Sequence, residues 1–499
     1  MRGSGILLPI SCLPSEYGIG SFSKEAYKFI DLLKEAGQKY WQILPLGPTG
    51  YGDSPYQSFS TFAGNPYYID LEKLVENGWI TVEDCRKCDF GSRKNAVDYE
   101  KLYQNRYEIL YKAFLNSGIK KEQSFVNFCE EEADWLQDYS LYMVIKEAHQ
   151  GASWDVWEDE LKKREPEALH KVEEEYRERI CFYKFMQFLF YQQWNEVKAY
   201  AQNKGISIIG DIPIYVAFDS ADSWASPELF QFDGNLRPVG VAGCPPDGFS
   251  KTGQLWGNPL YNWEYHRKTG YEWWIRRIRH CSKMYDVIRI DHFRGFDEYY
   301  AIPFGDKTAE FGHWEKGPGL ELFDTINSQL KNIHIIAEDL GFLTESVLEM
   351  VEKSGYPGMK VLEFAFDSRE PSNYLPHNYN KNSVVYTGTH DNETLLGWYK
   401  NLDDNDKKYL QNYLGMKSRN TKKVLWGIIR LAQASVSDIC IIPLQDYLML
   451  GNEARINHPS TLGGNWQWRM DNLQIKEKLI RKIYEITKIY GRIEKEKEE

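Results

Sequence analysis

The sequence predicts an α/β fold with eight buried parallel strands, and three observations support this prediction. Eight short runs of apolar and β-branched residues recur along the chain, and such runs are typical of strands buried on both faces. Amphipathic segments with helical periodicity separate many of the runs. Several runs also end in polar or Gly/Pro-rich segments. Strands that alternate with helices favour either a (β/α)8 barrel or a doubly wound sheet.

The predicted strands occupy residues 5–10, 40–45, 206–211, 287–291, 334–338, 359–366, 384–389 and 439–444. The clearest predicted helices occupy residues 24–36, 173–203, 271–284, 344–353, 424–434 and 473–489. Apolar residues recur at intervals of three and four in the first of these helices, and Gly37 follows it as a C-terminal stop. We expect the strands to lie parallel because parallel neighbours need crossover connections of this kind.

Two connections are longer than a crossover requires, so we predict insertions within a single catalytic domain that spans residues 1–499. About 160 residues separate the second predicted strand from the third, whereas a crossover needs about a dozen. The first insertion, residues 51–170, begins with the loop YGDSPYQSFSTFAGNP and continues as charged helices at 99–115 and 123–149. The second insertion, residues 212–270, contains the segment CPPDGFSKTGQLWGNPLYNW.

The composition argues against nucleic acid and membrane partners. The net charge is −12 and the pI is about 5.5, so the chain lacks the basic excess that displaces counterions from phosphate. The apolar run at the N-terminus is short and is interrupted by Pro9, which favours a strand over a signal peptide. No run reaches the ~18 apolar residues of a membrane span. We therefore expect a soluble, cytoplasmic protein.

The sequence also lacks the patterns that typically bind metals or nucleotide cofactors. Among the eight cysteines only Cys85 and Cys88 form a C-x-x-C pair, and no second pair or histidine follows nearby to complete a zinc site. Neither G-x-x-x-x-G-K-[ST] nor a strand-linked G-x-G-x-x-G occurs. We expect no metal and no cofactor.

Three acidic residues lie at or just after the ends of predicted strands: Asp291 in DVIRIDHFRG, Glu338 in IHIIAEDLG and Asp391 in YTGTHDNET. In a barrel the carboxyl ends of all strands meet at one face, so these side chains can converge. Two carboxyl groups at one rim, one ionised and one protonated, are the minimal apparatus for cleaving a glycosidic bond. Arg289 precedes Asp291 by two positions and shares its face of the strand, where its charge would keep Asp291 ionised.

Each of these acids taken alone is more often a helix cap or an arginine partner than a catalytic group. The three together favour catalysis because each has a polar neighbour. His292 and His390 flank two of the acids and can donate hydrogen bonds to sugar hydroxyls. Either histidine taken alone is more often a structural hydrogen-bonding residue.

The motifs IRIDHFRGF, IIAEDLG and THDNET resemble the core motifs of the amylomaltase or disproportionating-enzyme family, glycoside hydrolase family 77. Three further segments, GDSPYQSFSTFAGNPYYIDL, GDIPIYVAFDSADSW and PPDGFSKTGQLWGNPLYNW, are similar to patterns of that family. The resemblance covers nearly the whole chain. It implies a (β/α)8 TIM barrel with large insertions after strands 2 and 3 and without the C-terminal β-sandwich domain common in α-amylases.

The resemblance implies a role for each matching residue. Asp291 would be the nucleophile that forms a covalent glucosyl intermediate, and Glu338 would be the general acid that later acts as base. Asp391 would grip ring hydroxyls of the sugar at the cleavage site. The other implied substrate-binding residues are Arg289, Ser54, Tyr56, Asp211, Gln254, Trp256, His292, Asp367, His390 and Asn465.

The resemblance also implies 4-alpha-glucanotransferase activity, in which an α-1,4-glucan segment is passed to the 4-hydroxyl of an acceptor with retained configuration. The expected substrates are maltooligosaccharides, amylose, and fragments of starch or glycogen, bound by a monomer or weak homodimer. Residues 248–250 are expected in a loop that covers the glucan and limits attack by water. The alternative is an α-1,4-glucan hydrolase of the same clan. An inactive glucan-binding protein is disfavoured because all three acids are present.

Overall fold

A computed structural model describes residues 2–50, 52–246, 250–341, 343–461, 463–473 and 475–493. Gly248 and Phe249, for which we predict a place in the covering loop, lie outside the described residues. The strands in the described part are β1 (Gly3–Leu7), β2 (Tyr40–Gln42), β3 (Ser207–Pro213), β4 (Gly240–Cys244), β5 (Gln254–Pro259), β6 (Val287–Asp291), β7 (Glu298–Pro303), β8 (His313–Lys316), β9 (Ile335–Ala337), β10 (Gly358–Val361), β11 (Ser383–Tyr386) and β12 (Ile439–Pro443).

Eight of these strands close into a parallel barrel in the order β1-β12-β11-β10-β9-β6-β3-β2, and β2 pairs back with β1. Each of the eight predicted runs overlaps one barrel strand. The predicted (β/α)8 barrel is therefore confirmed, and the doubly wound alternative is wrong. Because every barrel strand is parallel to its neighbours, the carboxyl ends of all eight lie at one face of the molecule.

The helices of the described residues lie mainly between the barrel strands. They are α1 (Lys24–Glu35), α2 (Leu71–Glu76), α3 (Val82–Lys87), α4 (Tyr99–Ser117), α5 (Gln123–Glu131), α6 (Ala133–Ala148), α7 (Asp159–Lys162), α8 (Pro166–Glu175), α9 (Arg177–Asn203), α10 (Ala221–Ala225), α11 (Trp263–Lys268), α12 (Glu272–Met284), α13 (Leu320–Gln329), α14 (Glu345–Ser354), α15 (Leu395–Asn401), α16 (Asp404–Tyr413), α17 (Thr421–Ala434), α18 (Leu444–Leu448) and α19 (Glu477–Ile489). None of them combines the length and the apolar character that a membrane crossing needs.

Two predicted helices are each divided in the structure. The segment predicted as one helix from 173 to 203 spans the end of α8 and all of α9, with Tyr176 between them at φ −109° and ψ 22°. The segment predicted from 123 to 149 is divided in the same way at Glu132. Helical periodicity of apolar residues continues across both positions, so the pattern alone does not locate the breaks.

A four-stranded antiparallel sheet lies outside the barrel in the order β5-β4-β7-β8. Strands β4 and β5 come from the connection after β3, where we predict the second insertion. Strands β7 and β8 come from the connection after β6, where we predict no insertion. This outer sheet therefore joins two chain segments, and each leaves the barrel at its carboxyl-end face.

Close packing constrains the barrel next to Asp211. Gly210 precedes it in β3, and a Cβ atom at Gly210 would lie 2.2–2.4 Å from three ring atoms of Tyr285. The Tyr285 side chain is itself buried against the core, so the ring has little room to yield.

We expect Gly210→Ala to lower the free energy of unfolding by about 1–3 kcal/mol, because overpacking a filled core costs this much. Denaturant-induced unfolding, followed by intrinsic fluorescence, measures the change. Gly234→Ala is the matched control, since nothing lies within 4 Å of its Cβ position. An equal effect of both substitutions would contradict the packing argument.

Candidate active site

Two of the predicted catalytic acids lie on adjacent barrel strands at the carboxyl-end face. Asp291 is the last residue of β6, and Glu338 directly follows β9. Ile290 pairs with Ala337 across these strands, so the two acids occupy the next position on each. Neighbouring strands are about 4.8 Å apart. The register therefore brings the two carboxyl groups to the same part of the rim.

A buried ion network surrounds Arg289. Its Nη1 atom donates to both carboxylate oxygens of Asp211 at 2.7 and 2.6 Å, and its Nη2 atom lies 3.0 Å from Oδ1 of Asp291. Arg289 pairs in register with Asp211 and shares a face of β6 with Asp291. Burial alone would lower the pKa of Arg289, but the charges of Asp211 and Asp291 raise it well above its usual value. The guanidinium therefore stays charged.

Glu338 accepts two main-chain hydrogen bonds. The N–H of His292 donates to its Oε2 at 2.6 Å, and the N–H of Leu340 donates to its Oε1 at 2.9 Å. His292 adopts a left-handed conformation at φ 52° and ψ 47°. Such backbone strain is typical of functional sites, and here it accompanies an N–H aimed at the carboxyl group.

The two carboxyl groups differ in their proton affinity. Burial, followed by the charge of Asp291, raises the pKa of Glu338 to about 8, although Arg289 and the two N–H donors oppose the shift. Burial raises the pKa of Asp291 to about 6, because Arg289 offsets part of the penalty. Near neutral pH, Glu338 therefore holds a proton while Asp291 is ionised.

Asp391 lies in the loop after β11 and is held by residues from a later loop. The Nδ2 group of Asn457 donates to its Oδ1 atom at 2.7 Å, and the guanidinium of Arg455 donates to its main-chain oxygen at 2.7 Å. Nε2 of His390 lies 3.3 Å from the same Oδ1 atom. These contacts fix one carboxylate oxygen of Asp391 within the protein.

Tyr56 links His390, which precedes Asp391 in the sequence, to the ion network around Arg289. Its hydroxyl donates to Oδ2 of Asp211 at 2.9 Å and lies 2.9 Å from Nε2 of His390. Because the only hydroxyl proton goes to Asp211, Nε2 of His390 is the donor in its contact with the Tyr56 oxygen. The two rings are stacked, with centroids 5.3 Å apart and planes inclined by 15°. Ser54 accepts a hydrogen bond from the Tyr56 N–H at 3.3 Å.

Trp256 and His292 pack against each other beside Asp291. Their ring centroids lie 4.8 Å apart in a T-shaped arrangement at 87°, and the indole N–H of Trp256 donates to Oε1 of Gln254 at 3.1 Å. Burial lowers the pKa of His292 to about 3. The imidazole is therefore neutral and has one N–H available as a donor.

Comparisons with known proteins identify the family of this chain. A family model described as 4-alpha-glucanotransferase matches residues 8–475. A 4-alpha-glucanotransferase from Clostridium butyricum is 49% identical over 486 residues, which cover 97% of this chain and 100% of that protein. A second, from Thermus thermophilus, is 46% identical over 478 residues, which cover 94% of this chain and 95% of that protein. The chain belongs to the 4-alpha-glucanotransferase family, glycoside hydrolase family 77.

A solved structure of this family has the same fold. An amylomaltase from Streptococcus agalactiae in complex with acarbose matches with a TM-score of 0.95 and 43% identity, covering 99% of this chain and 100% of that chain. An amylomaltase from Corynebacterium glutamicum, at 20% identity and a TM-score of 0.79, covers 99% of this chain and 75% of that chain. The chain is thus an enzyme of the 4-alpha-glucanotransferase family with the amylomaltase fold.

Two predicted substrate-binding residues make contacts within their own loops. Asp367 pairs with the guanidinium of Arg369, two residues later, at 2.8 and 2.6 Å. Asn465 accepts from the main-chain N–H of His458 at 2.9 Å and donates to Thr461 at 3.1 Å, which closes its own loop. The glucan-binding roles of both residues stay predictions, as do the roles of the other residues predicted from the family resemblance.

Sequence reasoning missed three residues that shape the site of this family member. Asn457 and Arg455 hold Asp391, and Trp466 packs against the rings of Tyr56 and His390 at centroid distances of 5.8 and 5.9 Å. Trp466 directly follows Asn465 in GGNWQWR, so that motif offered a signal for it. Nothing in the segment RINHPS indicates that the side-chain amide of Asn457 would hydrogen-bond to Asp391, 66 positions earlier.

The described residues contain no group of three or more His, Cys, Asp or Glu side chains that could hold a metal ion. Cys85 and Cys88 are free thiols at the end of α3. Burial raises the pKa of Cys85 to about 11, which keeps this thiol protonated and weakly reactive.

We expect Asn457→Ala to reduce glucan transfer by about 10- to 100-fold, since a displaced group near the reacting atoms costs on this order. The substitution removes the donor to Asp391 Oδ1, and kcat/KM with maltotriose measures the effect. Asn382→Ala is the control, because its side chain donates to Gly355 O before β11 begins. Equal activity of Asn457→Ala and the parent would show that Asp391 does not depend on this amide.

Proposed function

We propose that this chain transfers α-1,4-glucan segments by a retaining double displacement in which Asp291 is the nucleophile and Glu338 the acid and base. One observation carries the proposal. Two carboxyl groups on adjacent strands are placed in environments that separate their pKa values, to about 6 for Asp291 and about 8 for Glu338. Such a separated pair supplies one nucleophile and one proton donor at neutral pH.

In the first half of the reaction, a carboxylate oxygen of Asp291 attacks the anomeric carbon of the donor glucan. The bond from that carbon to the glycosidic oxygen breaks, and Glu338 gives its proton to this oxygen, so a shortened glucan leaves. A glucosyl ester on Asp291 remains, with inverted configuration at the anomeric carbon. Arg289, at 3.0 Å, orients the attacking group and keeps it ionised.

In the second half, the 4-hydroxyl of an acceptor glucose attacks the same anomeric carbon. Glu338, now a carboxylate, takes the hydroxyl proton, the ester bond to Asp291 breaks, and the original α configuration returns. One α-1,4 bond forms for each one broken, so bond exchange proceeds with little change in free energy. The substrates that fit are maltooligosaccharides, amylose, and fragments of starch or glycogen.

The remaining site residues support binding of the sugar at the cleavage point. The fixed Oδ1 of Asp391 leaves its other carboxylate oxygen to accept from ring hydroxyls, and the neutral imidazole of His292 supplies an N–H donor. Tyr56 offers an aromatic face for stacking on the sugar ring. Preference for an acceptor sugar over water requires that water be excluded from the cleft, a role that we propose for residues 248–250.

The products from maltotriose test the proposal. Transfer yields a ladder of shorter and longer maltooligosaccharides, whereas glucose and maltose alone would identify a hydrolase of the same clan. We expect Asp291→Asn to lose at least about a thousandfold in turnover while remaining folded by circular dichroism. Asp324→Asn, an exposed substitution on α13, is the control. Near-normal ladder formation by Asp291→Asn would contradict the role of this residue.

We expect kcat/KM for maltotriose to follow a bell-shaped pH profile. Activity is lost as the pH falls through the pKa of Asp291, about 6, because the nucleophile becomes protonated. It is lost again as the pH rises through the pKa of Glu338, about 8, because the acid loses its proton. Initial rates between pH 4 and 10 measure both limbs. A rate that keeps rising above pH 9 would exclude Glu338 as the proton donor.

A further inference from the structure

Strand β5 departs from regular pairing at its centre. Two pairs of the β4–β5 ladder, Val241 with Pro259 and Gly243 with Leu255, lie on either side of the irregular part. Between them β4 covers two steps, from 241 to 243, whereas β5 covers four, from 255 to 259. The additional residues form a bulge at 256–258. A bulge bends its strand and redirects the side chains that it carries.

The bulge determines where the ring of Trp256 points. Gly257 adopts φ 77°, a conformation that glycine accepts without steric cost. On one side of it, the Trp256 ring lies 4.8 Å from the ring of His292 and 6.3 Å from that of Tyr215, measured between centroids. On the other side is Asn258, which is only 5% exposed. The direction of the Trp256 ring therefore depends on how the bulge is held at Asn258.

The side-chain amide of Asn258 connects the bulge to two other segments. Its Nδ2 atom donates to the main-chain oxygen of Val216 at 2.7 Å. Its Oδ1 atom accepts from Nε2 of Gln57 at 3.0 Å, and Gln57 directly follows Tyr56. The return contact, from Nδ2 of Asn258 to Oε1 of Gln57, is longer at 3.4 Å. We call Gln57 and Asn258 the amide pair.

The carbonyl of Val216 fixes the orientation of the Asn258 amide. A carbonyl oxygen only accepts hydrogen bonds, so the group that faces it is the NH2 of Asn258. Oδ1 then faces Gln57 and requires a donor, because a buried oxygen without one has lost its hydrogen bonds to water. Gln57 supplies this donor, and no rotation of the Asn258 amide replaces it without breaking the bond to Val216.

The other member of the amide pair belongs to the loop that reaches the buried ion network. The main-chain N–H of Gln57 donates to the carbonyl of Ser54 at 3.1 Å. One residue earlier, the hydroxyl of Tyr56 donates to Asp211 at 2.9 Å. The amide pair thus joins the loop that contacts Asp211 to the bulge that carries Trp256.

We propose that Gln57 is a positioning residue, which acts through Asn258 to hold the bulge of β5 and thereby fixes the Trp256 ring relative to the loop that carries Tyr56. The inference rests on the proposed function and on the predicted substrate-binding roles of both rings. Gln57 itself need not touch the substrate. Small displacements of groups that position a substrate reduce rates strongly, so the amide pair contributes to catalysis through the placement of Trp256.

Three substitutions test the proposal. Gln57→Met keeps the length of the side chain but removes its hydrogen-bonding groups. Gln57→Glu keeps the shape but presents an ionised carboxylate, which cannot donate to Oδ1 of Asn258. Trp256→Ala, alone and combined with Gln57→Met, removes the ring that the amide pair holds. The control is Gln104→Met, because Gln104 is exposed on α4 and contacts Glu100 at 3.4 Å.

The rate of maltotriose consumption measures kcat and KM for each variant, and circular dichroism checks that each is folded. We expect kcat/KM to fall about tenfold in Gln57→Met and in Gln57→Glu, with the control within about twofold of the parent. In the Trp256→Ala background we expect Gln57→Met to lower kcat/KM by less than about twofold, because residues that act through one another have non-additive effects.

A kcat/KM within about twofold of the parent in folded Gln57→Met or Gln57→Glu would overturn the proposal. So would a full tenfold further loss from Gln57→Met in the Trp256→Ala background, since a role confined to general stability does not depend on that ring. Failure of the proposed function is distinguishable, because the parent would then convert maltotriose to glucose and maltose without longer products, whatever the coupling between Gln57 and Trp256.

Discussion

The buried guanidinium of Arg289 is the interaction on which the arrangement of the active site depends. It forms two hydrogen bonds to Asp211, and a third contact joins it to Asp291. A buried charge is tolerated only when it is paired, and removal of one partner leaves the other uncompensated. Asp211 therefore has two functions: it accepts a hydrogen bond from Tyr56, and its negative charge compensates the charge of Arg289. Arg289 can then orient Asp291 without leaving an excess positive charge in the buried site.

The different protonation of Asp291 and Glu338 follows from what each acid touches. Both are desolvated at the rim of the barrel, which raises the pKa of each. Asp291 contacts the guanidinium of Arg289 at 3.0 Å, whereas for Glu338 the charge of Asp291 adds to the effect of burial, and Arg289 and two main-chain N–H donors only partly oppose it. A cation lowers a carboxyl pKa more than neutral donors do. Two similar side chains thereby acquire the different protonation states that the proposed mechanism requires.

Much of this architecture was predictable because burial leaves a strong pattern in sequence. Strands covered on both faces are continuous apolar runs, so all eight barrel strands were found, and the acids after three of them pointed to the active rim. The breaks at Tyr176 and Glu132, the strands β7 and β8, and the hydrogen bond from Asn457 to Asp391 were not predictable. They arise from packing and hydrogen bonding between distant segments, for which no local periodicity exists.

Direct capture of the covalent intermediate tests the central claim, that Asp291 attacks while Glu338 supplies the proton. Glu338→Gln should still react with α-maltosyl fluoride, since fluoride leaves without protonation, and the later step should stall without a base. Mass spectrometry of the quenched protein, followed by peptide mapping, measures the adduct. We predict one added maltosyl group, located on the peptide that contains Asp291. An adduct on another carboxylate, or turnover of the fluoride with no adduct at any time, would contradict this account.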